Sequence, residues 1–256
     1  MGEATLNYRV EGSGAPLLLV HGFGVSFHIW RQLAPLLLDH FSLVMVDLPG
    51  IGASPLPPDS DPYLASCVTA IESVRQKLAI PKWSVLGYSV GVGAALAYIS
   101  AHPERIDRVV LLCPPLLKGW RWWSLRSLLW LDSRQPAIGD WVLSGWRLYW
   151  LVALIGFNGR PVPLTREWVD EIATQPPPVL KASLREFPPA QQLLAGEGEH
   201  TLLLCGKSDF VSTRPPRRGV NVTFFAGDHS GPVRMAQPIA AQVIEFLSAR
   251  GVKRET

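Results

Sequence analysis

Short, largely apolar runs recur along the chain and are separated by longer stretches of mixed character. The apolar runs are residues 17–20, 43–46, 83–86, 109–113, 201–205 and 222–225. Runs of this length are typical of strands covered on both faces of a sheet. The stretches predicted to be helices are residues 29–38, 63–78, 94–101 and 236–250. Their alternation predicts an α/β fold, in which a mostly parallel central sheet is flanked by helices and an edge strand at 5–10 precedes the rest.

Between residues 114 and 189 this alternation stops, and the composition changes. The stretch holds eight of the ten tryptophans, namely Trp120, Trp122, Trp123, Trp130, Trp141, Trp146, Trp150 and Trp168. An insertion after the carboxyl end of a strand lies over the sheet edge where open α/β sheets bind ligands. We therefore expect one core built from residues 1–113 and 190–256, with residues 114–189 forming a Trp-rich helical cap.

The pentapeptide Gly-Tyr-Ser-Val-Gly at residues 87–91 joins a predicted strand directly to a predicted helix. Small residues are needed on both sides of such a turn, because only glycine lets the two backbones approach closely. Ser89 then stands at the apex, and the NH of Val90 opens the helix, where unpaired donors favour a developing negative charge. This arrangement predicts a nucleophilic serine with one oxyanion donor beside it.

A serine nucleophile needs a base and a carboxylate that orients the base. His229 lies between the last predicted strand and the last helix, and Asp209 follows the strand before it, so both belong to the carboxyl edge of the sheet. The order Ser89, Asp209, His229 is the order of an α/β-hydrolase triad. The second oxyanion donor is expected in the loop 21–24, His-Gly-Phe-Gly, from the NH of Phe23.

Other ionisable residues fit these roles less well. The histidines that we expect at the far edge of the sheet, or at the start of the first helix, are His40, His102, His200 and His28. Asp228 is adjacent to His229 in sequence, and neighbouring side chains diverge, so it is a poorer orienting group. Asp47 precedes Leu-Pro-Gly, and its carboxylate is expected to brace that turn.

These segments together resemble the α/β-hydrolase superfamily, and they span nearly the whole chain outside the predicted cap. The resemblance rests on residues 21–24, 47–54 and 87–91 together with Asp209 and His229. It implies that Ser89 is the nucleophile, His229 the base and Asp209 the orienting acid, with the oxyanion held by the NH groups of Phe23 and Val90. A serine at the elbow departs from the haloalkane dehalogenase and epoxide hydrolase branches, whose nucleophile is an aspartate. The resemblance implies no cofactor and no metal.

Amino-acid composition says more about the partners and cellular compartment of the protein than about its activity. A net charge of +3 with 18% charged residues, and without a basic run, excludes a nucleic-acid partner. Cys67, Cys113 and Cys205 are an odd set without metal-ligand spacing, which predicts buried free thiols and a reducing compartment. The N-terminus lacks the pattern of a secretory signal, and apolar stretches fall short of a membrane span. We expect a cytoplasmic protein; the sequence does not indicate its oligomeric state.

The predicted activity is hydrolysis of small hydrophobic carboxylic esters through an acyl-enzyme intermediate. Carbon-carbon bond hydrolysis or perhydrolysis on the same triad, and a small-molecule receptor with slow turnover, stay open as alternatives. The cap is expected to select the substrate, with a pocket lined by Trp122, Trp123, Trp146 and Trp150, although these rings could instead pack the cap onto the core. Residues 143–157 combine aromatic rings with an arginine, which predicts a peripheral membrane contact through the cap.

Overall fold

A seven-stranded sheet lies at the centre of the computed structural model, which describes residues 6–57, 62–116, 120–157, 166–188, 200–212 and 221–249. Its strands are β1 (Tyr8–Gly12), β2 (Ala15–Val20), β3 (Phe41–Val46), β4 (Trp83–Tyr88), β5 (Ile106–Leu112), β6 (Thr201–Gly206) and β7 (Asn221–Phe225). They lie in the order β1-β3-β2-β4-β5-β6-β7; β1 is antiparallel to β3, and the other neighbours are parallel. The predicted α/β fold with a mostly parallel sheet is confirmed.

Helices flank this sheet and fill the interval between β5 and β6. They are α1 (Tyr63–Lys77), α2 (Gly91–Ala101), α3 (Trp120–Arg134), α4 (Pro136–Val142), α5 (Gly145–Phe157), α6 (Arg166–Ala173), α7 (Pro177–Arg185), α8 (Gly231–Arg234) and α9 (Ala236–Ser248). We refer to α3–α7 as the helical insertion. No helix within the described ranges is long and apolar enough to cross a membrane.

The helix predicted at 29–38 is instead two short 3₁₀ helices, Phe27–Gln32 and Ala34–Leu36. Pro35 lies within this segment. A proline lacks the backbone N–H that an α-helix needs, and its ring collides with the carbonyl four residues earlier, so one continuous α-helix cannot pass through. The apolar side chains of this segment still face the core, because Trp30, Leu33 and Leu37 are completely buried.

The central pair of strands, β2 and β4, determines where a ligand crevice can form. The two strands run parallel, with Val20 opposite Gly87. From β2 the chain continues to β3 on one side, whereas β4 continues to β5 on the other side. Ligands of open α/β sheets bind at such a divergence, beyond the carboxyl ends of the strands. The loops after β2 and β4 therefore meet at the position expected for a site.

The helical insertion contacts loops at this same edge of the sheet. A Cβ atom placed on Gly24, in the loop after β2, would lie 2.8 Å from Val152 of α5. The Glu186 carboxylate, at the end of α7, accepts hydrogen bonds from the backbone NH groups of Tyr63 and Leu64 at 2.7 and 2.8 Å. Because these NH groups begin α1, a residue of the insertion satisfies donors that the helix leaves unpaired.

Candidate active site

The turn between β4 and α2 holds Ser89 in a left-handed conformation, with φ of 52°. A non-glycine residue with such a φ is costly, by about 1–3 kcal/mol, and persists only where its surroundings fix it. The NH of Ser89 donates to the carbonyl of Leu112 at 3.0 Å. Gly91 lies so close to the loop after β2 that a Cβ there would be 1.9 Å from the carbonyl oxygen of His21. Gly91 therefore permits this turn, because a side chain at that position would collide with the loop after β2.

The side chains of Ser89, His229 and Asp209 form a continuous hydrogen-bonded line. Ser89 Oγ lies 2.8 Å from His229 Nε2, and His229 Nδ1 lies 2.9 Å from Asp209 Oδ2. The carboxylate can only accept, so Nδ1 carries the proton of the neutral ring and Nε2 accepts from the serine hydroxyl. All three residues are buried. The structure thus brings together the three residues that the sequence predicted as a triad.

The Asp209 carboxyl is held in its ionised form. Burial opposes ionisation, but hydrogen bonds outweigh it: His229 donates to Oδ2, and the NH groups of Val211 and Ser212 donate to Oδ1 at 2.8 and 3.2 Å. Together they hold the pKa of Asp209 below its ordinary value. A charged carboxylate at this position stabilises the imidazolium that forms when His229 takes a proton.

The loop that carries His229 is fixed on the sheet by Tyr88 and within itself by Asp228. The Tyr88 hydroxyl donates to the carbonyl of His229 at 2.7 Å, and their rings lie 5.4 Å apart. Asp228 accepts from the NH of Ser230 at 2.9 Å and from its hydroxyl. The Asp228 carboxylate therefore braces its own turn, and Asp209 contacts the His229 ring.

The loop after β2 lies directly against the nucleophile. A Cβ on Gly22 would be 3.0 Å from the Cβ of Ser89, so Phe23 follows a residue in contact with the serine. Val90 precedes the first residue of α2. The two residues expected to supply oxyanion donors thus lie on the two segments that border Ser89.

Comparisons with known proteins identify the family and the fold. Residues 15–136 match the family model of the alpha/beta hydrolase fold. Pimeloyl-[acyl-carrier protein] methyl ester esterase of Pseudoalteromonas atlantica is 35% identical over 47% of the chain and 46% of its own length. Fluoroacetate dehalogenase of a Burkholderia species is 30% identical over 44% of the chain and 38% of its own length. A solved hydrolase from Oleispira antarctica superposes with a TM-score of 0.76, at 19% identity, over 96% of each chain.

The chain belongs to the α/β-hydrolase superfamily. The aligned stretches span less than half of the two relatives named above, so their own activities are not transferred by similarity alone. The likeness to the Oleispira hydrolase, at 19% identity, shows the shared fold. Residue roles in this α/β-hydrolase therefore have to be argued from its own geometry.

His21 is a residue of this α/β-hydrolase whose role the sequence did not reveal. Its Nδ1 donates to the carbonyl of Gly22, and its Nε2 accepts from the NH of Leu48, both at 2.9 Å. Burial lowers the pKa of His21, although the Asp47 and Glu171 carboxylates oppose that shift. A neutral imidazole thus ties the loop after β2 to the loop after β3. The local sequence His-Gly signals a loop but gives no hint of this pairing.

Cys113 is a second residue that the sequence placed only as a buried thiol. All three cysteines are buried and free, as predicted. Ligand atoms of Cys113, Asp209 and His229 lie within 4.8 Å of one another. Burial raises the pKa of the Cys113 thiol, and the Asp209 charge adds to this. Both His229 nitrogens are already hydrogen-bonded and the thiol is protonated, so this trio is poorly suited to a metal ion.

Three of the four tryptophans that the sequence predicts to line a pocket are largely exposed. Trp123, Trp146 and Trp150 each expose more than half of their surface. The side chain of Trp122 lies outside the described residues. The α5 side chain nearest the loop after β2 is Val152, which is buried on the opposite side of that helix from Trp146 and Trp150. The sequence could not separate the two sides, because α5 is apolar on both.

The turn after β3 is braced by Asp47, as the sequence suggested. Its carboxylate accepts from the NH of Phe27 at 2.9 Å, from the NH of Ala53 at 3.2 Å and from the side chain of Asn7 at 2.7 Å. Asp47 therefore joins three segments of the core at the edge that carries the site. His28, also set aside as a base, pairs with Glu171 of α6 at 2.8 Å.

Proposed function

We propose that this α/β-hydrolase cleaves hydrophobic carboxylic esters, with Ser89 as nucleophile, His229 as general base and Asp209 as the orienting acid. The observation that carries the proposal is the hydrogen-bonded line from Ser89 Oγ through the His229 ring to the Asp209 carboxylate. Such a line polarises the serine hydroxyl and returns its proton to a leaving alkoxide later in the cycle.

The reaction begins when Ser89 Oγ attacks the ester carbonyl carbon and His229 Nε2 takes the serine proton. The NH groups of Phe23 and Val90 are the donors proposed for the resulting oxyanion. Each such donor lowers the activation free energy by about 3–4 kcal/mol. His229 then protonates the alkoxide, which leaves as an alcohol. A water molecule, deprotonated by His229, hydrolyses the acyl-Ser89 ester and releases the acid.

Two features favour an ester over the other substrates of the fold. The residue at the elbow is Ser89, which departs from the epoxide hydrolase and haloalkane dehalogenase branches of the superfamily, whose nucleophile is an aspartate. One relative that shares 35% identity over part of the chain carries the name of a methyl ester esterase. A serine forms an acyl-enzyme that water can hydrolyse, which is the chemistry that an ester requires.

We also propose that residues 114–189 form a cap that limits what reaches Ser89. The helical insertion approaches the loop after β2 through Val152 and Leu148, both buried apolar side chains. Gly93 near the start of α2 lies against Phe187, since a Cβ there would be 3.1 Å from its ring. Apolar side chains at the border of the site favour a hydrophobic acyl or alcohol group.

Hydrolysis of p-nitrophenyl esters, from acetate to palmitate, tests the proposal with wild type, Ser89→Ala and Ser208→Ala. Ser208 is the matched control, because it is an exposed serine in the loop after β6 whose hydroxyl donates to the backbone carbonyl of Gly227. We expect Ser89→Ala to lower kcat/KM by about 10⁴-fold or more, and Ser208→Ala to stay close to wild type.

A fluorophosphonate probe gives a second readout of the same residue. The probe should add covalently to Ser89 of the wild type, as located by peptide mass spectrometry, and leave Ser89→Ala unmodified. Ester turnover that survives Ser89→Ala would overturn the nucleophile assignment. Absence of turnover on every ester, with the probe unreacted, would reject the esterase and favour the receptor alternative.

A further inference from the structure

The outer surface of α3, α4 and α5 exposes an unusual concentration of large apolar side chains. Of the fifteen large hydrophobic side chains that are exposed among the described residues, ten lie on these three helices. Five of the ten are the indole rings of Trp123, Trp130, Trp141, Trp146 and Trp150. We call this surface the aromatic face. Apolar patches of this kind mark contacts with membranes or other molecules.

The aromatic face is not a by-product of packing the insertion onto the core. Helix α5 buries Leu148 and Val152 on its inner side, where they meet the rest of the protein. Its outer side carries Trp146, Trp150 and Leu154, each more than half exposed. A helix at a protein–water boundary is normally polar on the outer side. Two apolar sides on one helix indicate that the outer side meets an apolar phase.

The charges around the aromatic face are positive. The Arg134 guanidinium lies 4.4 Å from the centre of the Trp130 ring, and the Arg147 guanidinium lies 4.4 Å from that of Trp141. Residues 120–157 contain four arginines and two acidic residues. The two acids are paired with Lys181 of α7, at 2.8 Å for Asp132 and 2.6 Å for Asp140. Both acids are thus paired with a cation of α7, and Arg134 and Arg147 stand beside tryptophan rings.

We propose that the aromatic face is a docking surface for a lipid bilayer that contains anionic lipids. Indole rings combine an apolar body with an N–H donor and are enriched at the membrane interface. Arginines at the same level attract anionic headgroups, at about 1 kcal/mol per cation near the surface. A second copy of the chain is a poorer occupant, because two such faces would bring their arginines together.

Docking in this way would bring lipid close to the proposed active site, a consequence that rests on the proposed function. The outer side of α5 would lie in the headgroup region, while its inner side contacts Gly24 in the loop beside Ser89. An ester dissolved in the bilayer would then reach the site without crossing water. The substrate class expected from this geometry is a membrane-dissolved ester with a long apolar chain.

Vesicle flotation of the full chain tests the docking surface. The probes are vesicles of phosphatidylcholine alone and of phosphatidylcholine with phosphatidylglycerol. The variant Trp130→Ser/Trp141→Ser removes two rings of the aromatic face. The control Leu36→Ser/Leu56→Ser removes two apolar side chains that are exposed outside α3–α5. We expect the wild type and the control to float with the anionic vesicles, and the double tryptophan variant to bind at least about tenfold more weakly.

Hydrolysis of p-nitrophenyl acetate in the absence of vesicles separates this proposal from the proposed function. The double tryptophan variant should keep the wild-type rate and thermal midpoint, so a loss of flotation alone is the expected result. Wild type that fails to float with anionic vesicles, or floats equally with neutral ones, would overturn the proposal. A dimer in sedimentation that dissociates in the double tryptophan variant would overturn it in favour of a second copy.

Discussion

At the scale of single residues, Asp209 divides its two oxygens between two tasks. Oδ1 accepts from the backbone NH groups of Val211 and Ser212, which fixes the carboxylate on its own turn. Oδ2 is left to accept from His229 Nδ1, and so selects the ring tautomer that leaves Nε2 facing Ser89. The backbone turn after β6 thus orients the Asp209 carboxylate, and the carboxylate orients the His229 ring.

The variant Asp209→Asn should keep the fold but lose most of the activity. An amide can present its NH₂ group to Nδ1, which would stabilise the opposite tautomer and place a proton on Nε2. We expect kcat to fall by about 10⁴-fold, as tautomer reversal does in serine hydrolases. Steady-state kinetics on a p-nitrophenyl ester measures the loss. Asp228→Asn is the matched control, because its oxygen can still accept from Ser230, and equal losses in both variants would contradict the assignment.

The residues of the proposed triad could be predicted from the sequence, whereas their supports could not. Ser89, Asp209 and His229 each follow an apolar strand, so their positions at one sheet edge follow from the strand pattern. Tyr88 and His21 act through the carbonyl of His229 and the NH of Leu48, which are far away along the chain. No local pattern records such a contact, because it depends on how two loops approach.

At the scale of elements, the strand β4, its turn and the helix α2 form one rigid unit against the loop after β2. Gly87 is pressed against Ala95 of α2, since a Cβ there would be 3.0 Å from the alanine Cβ. Gly91 faces backbone, with the carbonyl oxygen of His21 in the place a Cβ would take. Gly87 therefore sets the spacing between β4 and α2, and Gly91 sets the spacing between α2 and the loop that bears Phe23.

The variant Gly91→Ala should damage this unit, and Gly93→Ala should be tolerated. At Gly91 the added methyl meets a carbonyl of another loop, so the loop or the helix must shift, and overpacking of this kind costs at least about 1–3 kcal/mol. At Gly93 the added methyl would lie 3.1 Å from the Phe187 ring and 3.3 Å from Pro188 Cδ, so side chains rather than backbone have to give, and alanine also favours the helix by about 1 kcal/mol.

Thermal unfolding and ester hydrolysis, measured on both glycine variants, test this contrast. We expect Gly91→Ala to have a lower midpoint and a kcat at least about tenfold below wild type, because a misplaced oxyanion loop weakens transition-state binding. Gly93→Ala should stay near the wild type in both measurements. A Gly91→Ala protein with unchanged midpoint and kcat would show that the two segments are not in tight contact.

The elements of the core could be predicted from the sequence more closely than those of the insertion. Largely apolar runs predicted six strands within a few residues of their observed bounds, because strands covered on both faces of a sheet carry few polar side chains. The edge strand β7 is more exposed, but it is still mostly apolar. The segment with Pro35 buries its apolar side chains, as predicted for a helix, but it forms two 3₁₀ helices. In α5 both sides are apolar, so spacing alone did not show that Trp146 and Trp150 point outward.

At the scale of the whole molecule, the insertion and the core are joined by polar contacts at several places. Glu186 accepts from the first NH groups of α1, and Glu171 of α6 pairs with His28. Within the insertion, Lys181 and Arg185 of α7 both pair with Asp132 of α3. A carboxylate at the start of a helix is stabilised by the helix dipole. Removing one member of a buried ion pair leaves the other charge unpaired, which is destabilising. The residue types can be read from the sequence, but their partners cannot.

Buried ionisable groups make the stability of the whole fold depend on pH, and His21 should dominate near neutrality. Its native pKa is lowered from 6.5, mainly by burial, whereas the exposed ring of the unfolded chain keeps the ordinary value. Below pH 6.5 the unfolded chain therefore binds a proton that the native protein does not. Linkage then requires that the free energy of unfolding rises with pH below pH 6.5, with a slope of up to about 1.4 kcal/mol per pH unit. Above pH 6.5 the contribution of His21 no longer changes with pH.

Urea unfolding at about pH 7.5 and about pH 5.5, for the wild type and His21→Gln, isolates this contribution. The glutamine does not titrate, and its amide can still donate and accept where the imidazole did. We expect the wild type to lose more free energy of unfolding than His21→Gln as the pH falls, because the titrations of the other histidines are common to both proteins. Parallel pH profiles would mean that His21 is protonated as readily in the native fold as in the unfolded chain. A steeper wild-type profile would establish that a neutral imidazole joins the two loops.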